Sequence, residues 1–127
     1  MLANNSFPYV QVDSYIVQSQ TDSVVLSGHD QLPTQYITEQ PEAEFMKEWH
    51  ENMTIALTPA LEAVGKSGTF QVACWMHDTF SHTGPTINGL SFYNAFNNFY
   101  FSRNNSITYN LIDQCGELCG TDCPASK

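Results

Sequence analysis

The residues with the most chemical content stand where apolar runs end. Phe70 to Met76 is apolar apart from Gln71, and His77-Asp78-Thr79 follows at once. The run predicts a short buried strand, set off by a Lys66-Ser67-Gly68 turn that closes the helical pattern before it. A histidine at the point where a buried strand opens into a loop is placed to act as a general base on an α/β scaffold. Its plain structural counterpart is a half-buried imidazole bonded to a backbone carbonyl. A second polar exit lies nearer the start. Phe7-Pro8-Tyr9-Val10-Gln11-Val12 reads as a strand, and Asp13-Ser14 comes next. Asp13 is the candidate carboxylate, although an Asx-turn is a common use of such a residue.

Acyl transfer needs a nucleophile, a histidine to take its proton, and a carboxylate to hold that histidine's tautomer and charge. On hydrolase scaffolds of the α/β type these follow in the order Ser, Asp, His, each at a strand end. Asp13 and His77 obey the last two steps, with a crossover helix between them. No Gly-x-Ser-x-Gly elbow occurs. Ser14 adjoins the candidate acid, and Ser91 lies within a helical pattern. The order therefore places the serine on sequence upstream of Met1. Metal chemistry fits less well. The spacing of Cys115, Cys119 and Cys123 lacks the pairing of a structural zinc site, and His77-x4-His82 lacks the glutamate of a zinc-protease helix. No phosphate loop or dinucleotide fingerprint is present, so no metal and no cofactor is expected. His29-Asp30 reads as a solvated loop pair, and His50 as a surface residue on a helix.

The elements that must position these groups follow from patterning. Tyr15 to Leu26 is ambiguous and reads as a short helix or irregular segment. Ser27 to Pro41 is a polar surface loop. Pro41 to Val64 is the clearest helix, with Glu42 and Glu44 in its first turn and an apolar face of Phe45, Trp49, Met53, Ala56, Leu57, Leu61 and Val64, flanked by Met46 and Ile55. Pro59 should kink or restart it near Thr58, and Gly65-Lys66 should stop it. Ile87 to Phe101 carries an aromatic-rich pattern that predicts a helix on the core. Arg103 to Ser106 is a turn, and Ile107 to Asp113 a short terminal strand.

The 127 residues suffice for one small domain, and 42% hydrophobic with 13% aromatic content argues for a folded chain. The formal net charge of −9 leaves no footprint for nucleic acid or anionic membranes. No apolar run approaches a membrane span. Met1 to Asn5 lacks the basic start and apolar core of a signal peptide. Yet Cys74, Cys115, Cys119 and Cys123 form an even set suited to two disulfides, and Asn4, Asn52 and Asn104 head glycosylation sequons. Secretory features without a secretory start imply that the beginning of the protein lies upstream.

Three blocks carry a family resemblance. Gly68 to Asp78, with Cys74 three residues before His77, resembles the histidine block of the pectin acetylesterase / Notum family. Leu111-Ile112-Asp113-Gln114-Cys115, followed by Cys119 and Cys123-Pro124, resembles its closing segment. Tyr9 to Tyr15 resembles its aspartate block. The resemblance spans about Phe7 to Pro124. It implies that residues 1–127 are the C-terminal segment of a single α/β-hydrolase domain, with parallel strands and crossover helices, incomplete at the N-terminus. It also implies a serine carboxylesterase with His77 as general base, Asp13 as its carboxylate and the serine in an upstream elbow. The substrate would be an O-acetylated, pectin-like polysaccharide or, in the Notum branch, a fatty-acylated protein. The plant enzymes have a second cysteine after the histidine, where Asp78 stands here. Cys74 is then left to pair with one of the three tail cysteines and the other two with each other, with three connectivities open. The expected partners are that substrate and the N-terminal remainder of the domain, the expected location is extracellular or in the cell wall, and the chain alone should lack activity. The competing class is a non-catalytic, disulfide-stapled secreted binding module.

Overall fold

The sheet begins in the run whose state the sequence leaves ambiguous. The computed structural model describes residues 7–63, 67–102 and 109–125. Within them Ser14–Thr21 is a strand, β1, and Glu42–Ala63 a helix, α1, which leads toward the strand β2 at Ser67–Trp75. A two-strand hairpin follows, β3 at Thr86–Ile87 and β4 at Leu90–Ser91, then a short helix α2 at Phe92–Asn97 and a strand β5 at Asn110–Ile112. The main sheet has the order β1-β2-β5, and both pairings are parallel. α1 packs on β1 and β2 as the crossover between them. This is a mixed α/β architecture with a parallel sheet.

The last three residues of β1 are polar and yet buried: Ser19, Gln20 and Thr21 are each no more than 1% exposed. Hydrophobic periodicity misses such a strand, because its burial rests on hydrogen bonds instead of apolar contact. The register supplies them. From Ser19 to Thr21 β1 advances two residues while β2 advances three, from Val72 to Trp75, so β2 carries a bulge at Ala73-Cys74. The Cys74 carbonyl accepts from both the Ser19 and Thr21 hydroxyls. Gln20 Nε2 reaches across to the Gln71 and Asp113 carbonyls at 2.8 and 2.9 Å.

The strand expected at Phe7 to Val12 does not form. Phe7–Tyr9 is a single 3-10 turn, and Tyr9 and Val12 are 82% and 68% exposed. Its β-rich composition finds no partner strand, and Pro8 has no N–H to give to one. α1 forms as the sequence predicts and runs through Pro59 as one helix; its start near Pro41 also matches, whereas the Gly65-Lys66 stop and Val64 lie outside the described residues. Its buried face agrees with the expected one at Leu57, which is buried, and at Trp49, which packs on the core, but differs at the start, where the flanking Met46 is buried and Phe45 stands exposed. The helix expected from Ile87 starts later, since Asn88 and Gly89, with φ of 52° and 75°, make the tight turn of the β3–β4 hairpin. Ser91 Oγ then accepts from the Asn94 amide and caps α2, which continues into a π-helical turn at Asn98–Ser102. The terminal strand is present as β5, and the turn at Arg103 to Ser106 lies outside the described residues.

Two apolar clusters hold the layers. Phe70, Val72, Cys74 and Leu111 of the sheet, with Met76 just past β2, pack with Ile87, Phe92 and Ala95. Leu26, Leu32 and Met46 form a second cluster with Ile37, Trp49 and Trp75.

Candidate functional site

β1 and β2 run parallel, so the residues after Thr21 and after Trp75 emerge side by side at one end of the sheet. Those residues are Asp22 and His77. His77 Nδ1 lies 2.9 Å from both Asp22 carboxylate oxygens. Asp13 is elsewhere. It precedes Ser14, which pairs with Ser67 at the opening of β2, so about 25 Å of strand separates it from the His77 end. Asp13 is exposed at the opposite edge of the sheet. The expected Asp13–His77 pairing is therefore corrected: Asp22 holds the position that Asp13 was expected to hold. Asp22 carried a signal of its own, an Asp-Ser pair before the apolar Val24-Val25-Leu26, which is a helix-cap pattern at a strand exit. It is legible only once Tyr15 to Thr21 is seen to be a strand.

The Asp22 carboxylate is fixed by the turn it begins. Its Oδ1 accepts from the Val24 and Val25 amides, both at 3.0 Å, and its backbone carbonyl accepts from Leu26 N–H at 2.9 Å. Leu26, fully buried, anchors that turn. Oδ2 accepts from Gln18 Nε2 at 3.2 Å. A carboxylate surrounded by donors is an acceptor toward the imidazole, so His77 carries its proton on Nδ1 and donates it to Asp22. The two side chains differ sharply in exposure, 5% for Asp22 and 55% for His77. The carboxylate is buried behind the ring, and the ring reaches solvent. An imidazole held at Nδ1 with its other nitrogen unprotonated can accept a proton from a hydroxyl nucleophile and return it to a leaving group.

The loop carrying His77 is braced from the far side. Asp78 Oδ1 accepts from Phe80 and Ser81 amides at 3.0 and 3.3 Å, capping a 3-10 turn at Thr79–Ser81. The Ser81 hydroxyl and these amides, with His82 nearby, hold the Asp78 carboxyl below its ordinary range. Tyr93 Oη donates to the Phe80 carbonyl at 2.6 Å and ties the turn to α2.

The tail braces the other side. Cys74 bonds to Cys123 and Cys115 to Cys119. Thr21 Oγ1 donates to the Glu117 carbonyl at 3.2 Å, and Gly120 N–H to the Ala73 carbonyl at 2.9 Å. A Cβ on Gly120 would sit 2.7 Å from Cys74 Sγ and 2.9 Å from the Ala73 carbonyl oxygen, so glycine is what lets the tail lie against the bulge. Asp113 Oδ2 accepts the Ala73 amide at 2.8 Å and satisfies the bulge's other free group.

The remaining candidates stay apart. His29 and Asp30 are exposed, as a solvated pair should be. His50 is half-buried, and its Nδ1 has no partner among the described residues. Ser14 Oγ donates to the Val12 carbonyl and Ser91 caps α2, so neither serine is set up as a nucleophile. Asn52 is exposed on α1, whereas Asn4 and Asn104 lie outside the described residues. No group of three or more His, Cys, Asp or Glu side chains among the described residues converges on a metal position. No described helix is long and apolar enough to cross a membrane.

A histidine and a buried carboxylate at the exits of neighbouring parallel strands are the geometry of an α/β-type acid–base site. The comparisons name the family. Its model, described as pectinacetylesterase, matches residues 1–124, and the chain belongs to that family. Searches of curated proteins and of solved structures found no match. Family membership supports an esterase-type function, and the two disulfides fit a secreted protein.

Proposed function

We propose that this chain is the C-terminal segment of a serine carboxylesterase of the α/β-hydrolase type, which removes acetyl groups from an O-acetylated polysaccharide outside the cell. His77 is the general base. Asp22 holds its tautomer and stabilises the imidazolium formed as the nucleophile attacks. The serine and the oxyanion-hole donors come from an upstream part of the same domain. The observation that carries this reading is the contact of His77 Nδ1 with both oxygens of a buried, donor-saturated carboxylate. In the first half-reaction the serine oxygen bonds to the acetyl carbonyl carbon while its proton passes to His77 Nε2. The tetrahedral intermediate then expels the sugar oxygen, which takes that proton. Water repeats the cycle on the acetyl-enzyme and releases acetate.

The test uses the protein with its upstream sequence included. An acetyl ester substrate should give a burst of released alcohol followed by slower turnover, and His77→Ala should abolish both. A burst that survives His77→Ala, or one given by residues 1–127 alone, would overturn the assignment.

A further inference from the structure

The two oxygens of the Asp22 carboxylate are held by different means. Oδ1 accepts from the Val24 and Val25 amides, which belong to the turn that Asp22 begins. Oδ2 has one donor besides the imidazole, the side-chain amide of Gln18 at 3.2 Å. Gln18 lies on β1 four residues before Asp22, half-buried, in register with Gln71 of β2. Its Nε2 also donates to the Ser19 carbonyl at 3.0 Å. A primary amide has two N–H hydrogens, so both are used, and a flipped amide would set its oxygen against two acceptors. Gln18 is therefore locked with its nitrogen toward the carboxylate. Among the described residues no side chain other than Gln18 and His77 donates to Asp22.

We propose that Gln18 is a positioning residue for the acid–base pair: it fixes the Asp22 carboxylate in the rotation that offers both oxygens to His77 Nδ1. This rests on the function proposed above and adds a residue to its machinery. His77 Nδ1 stands 2.9 Å from each oxygen. That symmetry lasts only while the carboxylate does not turn about its Cβ–Cγ bond, and such a terminal torsion has a broad energy well of its own. The turn amides anchor one oxygen and Gln18 anchors the other. The kind of donor matters as much as its place. A neutral amide holds Oδ2 without cancelling the carboxylate charge, which stays available to the imidazolium. A cationic donor at position 18 would compete with His77 for that charge. An anionic side chain would turn an acceptor toward an acceptor.

The experiment reads the pair by NMR in the 127-residue chain, without turnover, so failure of the esterase reading leaves its result standing. Two signals are followed. Nitrogen-15 shifts of the neutral His77 ring give the ratio of its two tautomers. Hydrogen exchange of the Leu26 amide, which donates to the Asp22 carbonyl at 2.9 Å, reports on the turn alone. Gln18→Met keeps the length of the side chain and removes the donor. It should raise the ratio of Nε2–H to Nδ1–H tautomer about tenfold, the scale of one hydrogen bond to a charged group. The Leu26 amide should exchange as in wild type. Gln18→Glu, also of equal length, should raise the ratio further at neutral pH, because it sets a second carboxylate against Oδ2. A ratio unchanged by both variants would overturn the proposal. So would a Leu26 amide that exchanges faster in step with the ratio, since Gln18 would then support the turn and not the carboxylate. A wild-type ring with its proton on Nε2 would overturn it as well, by removing the pair that Gln18 is said to position.

Discussion

The two ends of the parallel sheet carry the same kind of residue in opposite circumstances. At one end Asp13 precedes β1, exposed. At the other Asp22 follows β1, buried, with two backbone amides, a glutamine and a histidine directed at its carboxylate. In a doubly wound sheet the C-terminal strand ends gather the functional loops, and in this parallel sheet the corresponding end brings Asp22 and His77 together. What distinguishes the ends is support. The C-terminal end is packed from one side by the capped Asp78 turn and from the other by the disulfide-bonded tail. A charged group keeps a fixed position only where its neighbours satisfy it, and that condition is met at Asp22.

The sharpest way to break this contrast is to remove each carboxylate in turn. In a protein that includes the upstream sequence proposed above, Asp22→Asn should lower kcat by about 10⁴ by losing the tautomer that presents Nε2. Asp13→Asn should leave kcat within about twofold, as expected of a surface substitution. Steady-state kinetics on an acetyl ester separates the two.

Four smaller effects probe the support. Removing the Cys74–Cys123 bond, as Cys74→Ser with Cys123→Ser, opens a closure of 49 residues and should cost about 4 kcal/mol in denaturant unfolding. Removing Cys115–Cys119, only 4 residues apart, should cost about 2 kcal/mol. Equal losses would show that the tail does not clamp the bulge through Cys123. Gly120→Ala should cost about 1–3 kcal/mol by forcing a methyl group against Cys74 and the Ala73 carbonyl. Asp78→Ala should have the least effect, visible in its pH dependence. The folded protein lowers the Asp78 pKa, so the carboxylate adds stability above its unfolded pKa and loses it as pH falls through the folded one. The variant should therefore unfold with a shallower acid limb than wild type.

The contrast also explains which parts were legible in the sequence. β2 announces itself through Phe70, Val72, Ala73 and Met76, and the histidine at its exit is read correctly as a strand-end residue. α1 announces itself through helical spacing and its acidic first turn. β1 does neither. Its buried positions are Ser19, Gln20 and Thr21, whose side-chain donors are taken up by carbonyls of Gln71, Cys74 and Asp113 that lie 51 to 93 residues away in the chain. No local pattern encodes such partners, so the strand and the carboxylate at its end are lost together. At Phe7 to Val12 the error is the reverse, since β-rich composition cannot supply a partner strand. The Asn88-Gly89 turn was readable as a hairpin signal but was submerged in the aromatic periodicity that follows it.

The central claim is that His77 is held by Asp22, and the tautomer of His77 reports on it directly. Nitrogen-15 NMR of the imidazole at a pH where it is neutral should find the proton on Nδ1 in residues 1–127. Asp13→Asn should leave that signature unchanged, and Asp22→Asn should lose it. A tautomer insensitive to Asp22→Asn, or one that shifts with Asp13→Asn, would contradict the pairing on which the account rests.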